Sequence, residues 1–471
     1  MTEVTGQRTE VARVSGPLTG GKGWPFGSPP DEPRYGCVVE EFLAEGVARS
    51  YAPRPGSEVG IDGRWSVEPA GTAGYCTRFY VVRPADPARF NGVAIVNWQN
   101  VTAGLDLGTP APYDLEGGYA WVGVTTQRVA MEGQPSLTEG LTGTQGLPAW
   151  DPERYGTLHH PGDGFSYDIF TQVARSLGPD RPNDSVDPLG GLQPRLMIAM
   201  GGSQSAMRLG SYINIADDAE QFFDGFLLYV HWGMRPYPPD QTLMESFTPV
   251  GGGLTAGSAA IHDRGRAPIL VLSSQSETMN NLPVRQADSP TFRFWEMAGT
   301  AHAGGGVTAE MEEIMARDGM AAFLQTDVVN TVDWGYVRDA ALDHLVGWAG
   351  GGPPPPTFPP IDATLDDGID RDELGNARGG IRLPELLAPT AVHLGTNPIN
   401  LLAALSGQST PFSEERLASL YAGADAYLLA WDAAVAQVRE QGLVLDADLE
   451  ALHSRGRRIA AELWRAGSPR A

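Results

Sequence analysis

Short unbroken apolar runs recur along this chain, and stretches with helical spacing separate them. Residues 92–97 (GVAIVN), 120–126 (AWVGVTT), 196–200 (LMIAM), 226–230 (FLLYV), 268–273 (PILVLS) and 292–297 (FRFWEM) are dense in β-branched, aliphatic and aromatic residues over a few positions. They predict strands buried on both faces. Two longer strand-like stretches, 38–51 and 75–83, precede them. Among the helical stretches, 166–177 places Tyr167, Phe170, Val173 and Ala174 at helical spacing; 206–216 is helical and 332–349 strongly amphipathic. Apolar strands alternating with helices predict an α/β fold, with eight strands in a mostly parallel sheet, helices on both faces and the first strands antiparallel.

Punctuation organises the rest. The first thirty-odd residues are rich in turn formers and predict irregular coil. Residues 350–360 (GGGPPPPTFPP) read as a stiff proline-rich spacer. Residues 1–349 are therefore read as the core and 361–471 as a mostly helical extension packed on it, with Ser413 capping one helix. Two stretches within the core, about 231–265 and 304–331, are too long for plain connections. The first carries Trp232, Met234, Tyr237 and Phe247, the second MEEIMARDGMAAFL. Such excursions predict a lid or the wall of an acyl pocket, unless their apolar residues only pack on themselves.

Composition narrows the partners. Of 471 residues 42% are hydrophobic, enough for a large core, and 33 Lys+Arg against 57 Asp+Glu leave a net charge of −24. That charge argues against nucleic acid and against an anionic membrane surface. No apolar run is long enough for a membrane span or a secretory leader, so a cytoplasmic location is expected. The two cysteines, Cys37 and Cys76, sit near the starts of two strands. If those strands pair antiparallel the thiols lie far apart, and free buried thiols are expected.

One strand ends in an unusual way. Residues 196–200 run into Gly201-Gly202-Ser203-Gln204-Ser205, and a helix starts at once. In an open parallel sheet, function collects at the carboxyl ends of the strands. A sharp turn there lifts one side chain above the sheet edge and needs small neighbours, which Gly201, Gly202, Ser205 and Ala206 provide. The helix N-terminus beneath offers N–H groups and a positive dipole end to a developing oxyanion. An ordinary strand–helix turn could also contain serine, so its partners decide. His302, in FRFWEMAGTAHAGGG, follows the last strand within a glycine-rich loop, where a general base would stand. His344 and His453 fall in helical stretches and read as surface or packing residues. Glu277 lies just past the strand 268–273, at the same edge, whereas Asp288 precedes the next strand and belongs to the opposite edge. The order serine, acid, histidine is the one this class of turn requires.

With these residues in place the chain resembles the α/β-hydrolase superfamily. Within it, the chain is similar to a bacterial group of α/β hydrolase domain proteins that carry G-x-S-Q-S and A-G-T-A-H motifs. The matching stretches are 201–205, 298–302, RYGTLHHPGDGFSYDIFTQ and ELGNARGGIRLPEL, the last beyond the spacer, so the extension is expected to be integral. The resemblance implies an esterase-type hydrolase. Ser203 would attack an ester, lactone or thioester carbonyl, His302 would act as base and Glu277 would orient it, with no cofactor. The same triad could pass an acyl group to an alcohol, as an acyltransferase; a chain that kept only the fold would be a small-molecule binding protein. Oxyanion donors are expected from the N–H of Gln204 and from Gln99 or Asn100, unless the last two only cap a strand end. Trp98, Tyr155, His160 and Trp232 are expected to border a small ester or acyl substrate. His159, His160 and Asp163 match no strong zinc spacing, so no metal is expected.

Overall fold

The computed structural model describes residues 9–23, 35–102, 104, 106–133, 146–233, 258–304, 316, 329–397 and 401–464. Nine strands form the main sheet: β1 (Arg13–Ser15), β2 (Cys37–Pro53), β3 (Val67–Pro84), β4 (Val93–Trp98), β5 (Ala120–Val124), β6 (Leu196–Gly202), β7 (Gly225–Tyr229), β8 (Ile269–Ser274) and β9 (Phe292–Met297). Their order is β1-β2-β3-β5-β4-β6-β7-β8-β9. The eight strands expected from the sequence are all present. The ninth, β1, is three residues long and pairs antiparallel with β2 at the sheet edge. β2, β3 and β5 pair antiparallel, and β5, β4, β6, β7, β8 and β9 pair parallel.

The connection after β4 leads to β5 on one side, and the chain then crosses back to β6 on the other. Adjacent strands whose connections diverge leave a crevice at their carboxyl ends, here between β4 and β6. Side-chain alternation divides the buried residues between the two faces. Ala94, Val96 and Trp98 of β4 join the cluster that includes Phe170 and Val173 of α1 (Ser166–Ser176) and Leu209 and Tyr212 of α2 (Gln204–Ile215). Val93 and Ile95 turn the other way, into the cluster with Val337, Leu342 and Leu345 of α3 (Gly335–Ala349).

The chain beyond residue 349 shares this second cluster. Trp295 Nε1 donates to Pro356 O at 2.9 Å and Arg293 Nε to Pro355 O at 2.9 Å, so the proline-rich segment lies along β9. After it come a small hairpin, β10 (Ala363–Thr364) and β11 (Gly368–Ile369), then β12 (Ala391–Leu394) paired with β13 (Gln408–Pro411). Three helices follow: α4 (Glu414–Leu420), α5 (Ala424–Glu440) and α6 (Leu449–Leu463). Ser413 caps α4, accepting from Arg416 N at 3.2 Å. Tyr427, Trp431 and Val435 of α5 are buried in the same cluster as Leu345 of α3. His344 and His453, set aside in the sequence, bond to Gly442 O (2.8 Å) and Asp432 (2.7 Å).

Cys37 faces Pro84 and Cys76 faces Glu45 across the β2–β3 pair; both are buried and neither is in a disulfide. Eight strand positions separate Cys37 from Glu45, about 26 Å at about 3.3 Å per residue. Among the described residues, no helix is long and apolar enough to cross a membrane. The two excursions lie largely outside the described residues, at 234–257, 305–315 and 317–328.

His393 of β12 gives the fold a measurable pH signature. Its Nδ1 lies 2.7 Å from Ser409 Oγ, and burial, helped by the nearby Arg455 charge, brings its pKa down from 6.5 to about 4. A lowered folded pKa means that the unfolded chain takes the proton first. The stabilisation is therefore complete above about pH 6.5 and is lost as pH falls towards 4, a change of roughly 3 kcal/mol. His393→Gln is expected to flatten the fall in unfolding free energy across this window. Parallel pH profiles for the variant and the parent would contradict the assignment.

Candidate active site

β6 ends in a turn that only small residues permit. Ser203 has φ 59° and ψ −123°, a backbone conformation that side chains other than glycine adopt at a cost. A Cβ on Gly201 would lie 3.0 Å from the Ser205 carbonyl carbon, and one on Gly202 would lie 2.3 Å from the Tyr229 ring. Ser205, where a second glycine is usual, latches the turn instead. Its hydroxyl donates to Gly202 O at 2.7 Å and accepts from Gly202 N at 3.0 Å. Ser203 N donates to Tyr229 O at 3.0 Å, which ties the turn to the end of β7. Ser203 is partly exposed, while Gln204 and Ser205 beside it are buried.

Two further loops bring their side chains to this serine. His302 Nε2 lies 2.7 Å from Ser203 Oγ, and His302 Nδ1 lies 2.6 Å from Glu277 Oε1. Glu277 closes the short turn Gln275–Glu277 that follows β8, and its side chain is fully buried. Its second oxygen accepts from Ser274 N at 2.7 Å and from Ser274 Oγ at 2.8 Å. A carboxylate that accepts from these donors fixes the imidazole with its proton on Nδ1. Nε2 is then the acceptor facing the serine hydroxyl. Such an arrangement can draw the proton from Ser203 as its oxygen attacks an electrophile. The Trp232 ring centroid stands 5.3 Å from that of His302. Asp288 stands at the start of β9, its Oδ1 accepting from Phe294 N at 3.0 Å.

The β4 loop departs from the sequence reading. Gln99 N donates to Val124 O at 3.1 Å and Asn100 N to Leu107 O at 2.9 Å, so neither amide is left to meet an oxyanion. The Gln99 side chain donates to Gly108 O and accepts from Asn97. Asn100 Nδ2 reaches Gly202 O at 3.2 Å and joins the β4 loop to the end of β6 across the crevice. Gln204 starts α2, where first-turn amides have no intrahelical acceptor. Its side chain donates to Gln127 Oε1 at 2.9 Å, and Trp98 Nε1 donates to the same oxygen at 3.1 Å.

Two residues expected to touch substrate are core residues instead. Trp98 is fully buried, with ring centroids 5.7 Å from Tyr167 and 5.0 Å from Phe170. Tyr155 is fully buried too, its hydroxyl donating to Glu41 Oε1 at 2.8 Å within a cluster that includes Arg78 and Arg154. Neither presents surface to a ligand. His160 is engaged at both nitrogens: Nε2 lies 2.9 Å from Thr126 O, and Nδ1 accepts from Gly162 N at 3.1 Å. Burial pushes its pKa below the ordinary value despite the nearby Asp163 charge, so it acts as a neutral brace of the 157–163 loop. Among the described residues, no group of three or more His, Cys, Asp or Glu could hold a metal ion.

A family model described as alpha/beta hydrolase domain matches residues 14–454, on both sides of the proline-rich segment. No curated protein matches the chain. Solved structures with a similar course include esterase Est22, at 10% identity and TM-score 0.32 over 68% of this chain and 82% of that one. A bacterial heroin esterase matches at 14% identity and TM-score 0.27, over 60% of this chain and 86% of that one. Both likenesses are too distant to carry an argument about activity.

The strain at position 203 is open to measurement. Glycine relieves the positive φ, and alanine keeps it. Ser203→Gly is therefore expected to unfold at higher denaturant than Ser203→Ala, by about 1 kcal/mol after glycine's entropic cost. An alanine variant at least as stable would show that the turn is unstrained.

Proposed function

The chain belongs to the alpha/beta hydrolase domain family, and from that premise we propose that it is a serine hydrolase cleaving a small carboxylic ester through an acyl-enzyme. The observation that carries this reading is the unbroken pair of hydrogen bonds, Ser203 Oγ to His302 Nε2 at 2.7 Å and His302 Nδ1 to Glu277 Oε1 at 2.6 Å. Ser203 Oγ attacks the acyl carbonyl while His302 Nε2 takes its proton. The Glu277 carboxylate stabilises the imidazolium that results and keeps the ring from turning. The N–H of Gln204, at the positive end of α2, receives the developing oxyanion. His302 then protonates the leaving alcohol, the acyl group stays on Ser203, and a water deprotonated by His302 releases the acid. A fully buried Glu277 suits this cycle, because its charge acts on the histidine through a medium that screens it little.

Turnover of a p-nitrophenyl ester at saturation tests the assignment. Ser203→Ala is expected to lower kcat on the order of 10⁶-fold, and His302→Ala nearly as far. Glu277→Gln is expected to lower it on the order of 10⁴-fold, because an amide cannot hold the required tautomer. Asp288→Asn and His344→Ala are expected to stay near the parent value. A Ser203→Ala variant within tenfold of the parent would remove the nucleophile; a large loss at Asp288 with none at Glu277 would move the acid.

A further inference from the structure

We propose that residues 391–397 and 404–407, which follow the proline-rich segment, hold the acid and base loops in register, and that Ser276 is the positioning residue at the joint. The inference rests on reading Ser203, His302 and Glu277 as the reacting groups.

Ser276 precedes the acid in sequence, and its hydroxyl is used twice. It accepts from the backbone N–H of His302 at 2.8 Å and donates to Gly395 O at 2.5 Å. One oxygen thus joins the turn carrying Glu277, the loop carrying His302 and the end of β12. The surrounding contacts run the same way. Asn330 Nδ2 donates to Gly299 O at 2.7 Å and to Leu394 O at 2.9 Å, and Ala303 N donates to Leu405 O at 2.9 Å. Two glycines allow the close approach. A Cβ on Gly395 would lie 2.7 Å from Ser276 N and 2.8 Å from Thr300 O. One on Gly407, whose φ is +62°, would lie 2.8 Å from the Ala301 side chain.

The base loop needs such a clamp. Its sequence, AGTAHAGGG, has glycines on both sides of the histidine, and glycine-rich backbone holds no conformation by itself. Other anchors help: Gly299 N donates to Gln275 Oε1, and Trp334 Nε1 to Ala301 O. The amide of His302 itself is anchored through Ser276, and Ser276 through Gly395. Loss of that anchor leaves a buried N–H and lets the imidazole drift from both partners.

The test compares the full-length parent with Ser276→Ala, Gly395→Ala and Ser276→Thr. Competent sites are counted by fluorophosphonate titration, and kcat and KM are measured on a p-nitrophenyl ester per titrated site. Ser276→Ala and Gly395→Ala are expected to lose roughly 10- to 100-fold in kcat, the scale of a small misplacement of reacting groups, with KM little changed. Ser276→Thr, which keeps the hydroxyl, is expected to recover most of the loss. If Ser276→Ala and Gly395→Ala do not fold, Ser276→Cys, which keeps nearly the same side-chain size and weakens both hydrogen bonds, carries the same expectation. Variants that lose stability or titratable sites, yet turn over like the parent per site, would overturn the proposal and leave these contacts as packing alone. A parent that neither takes up the phosphonate nor hydrolyses the ester would instead sink the reaction assigned to Ser203, and the positioning role with it.

Discussion

A carboxylate with no solvent contact sets the geometry of this site. Burying a carboxylate such as Glu277 is costly unless both of its oxygens are met by donors. Three donors meet it: the amide and hydroxyl of Ser274 on one oxygen, and the Nδ1–H of His302 on the other. That requirement fixes the turn after β8, then the histidine's tautomer, then the direction in which its second nitrogen faces. Ser203 completes the line only because β6 ends in a conformation that lifts its hydroxyl above the sheet edge. The alignment of the three side chains thus follows from where one carboxylate can be buried.

The sheet supplies the rest of the frame. The divergence of the chain after β4 and β6 opens the crevice, and Asn100 spans it to Gly202. On the same side, Gln127 at the end of β5 takes hydrogen bonds from Trp98 and Gln204, so the start of α2 is braced from two strands. Beyond β9, the backbone of residue 381 pairs with Glu296 and Ala298, and β12 ends against the acid turn. On the proposed reading, the segment after the prolines is part of the site's scaffold.

Much of this was legible in the sequence. Strand positions followed from apolar runs, and the glycines around Ser203 marked a turn that no ordinary strand exit needs. The positions of Glu277 and His302 followed from which sheet edge a residue meets just after a parallel strand. Other features were not legible. β1 has three residues, too few for a periodic signal. Trp98 lies next to the loop, but Ala94, Val96 and Trp98 share one face, and period-2 alternation sends that face into the α1–α2 core. Tyr155 finds its partner Glu41 114 positions away, and Ser276 finds Gly395 119 positions away. No local pattern announces such pairings. The Gln99 and Asn100 amides were misread because a strand end shows where a loop lies, not which of its N–H groups the next strand has taken.

The role proposed for Ser203 is that of a nucleophile made reactive by His302. Its most direct test is to treat the full-length chain with a fluorophosphonate and map the adduct by peptide mass spectrometry. A single adduct on Ser203 is expected, absent in Ser203→Ala and formed far more slowly in His302→Ala. An adduct on another residue, or ester turnover that persists with Ser203 unmodified, would contradict it.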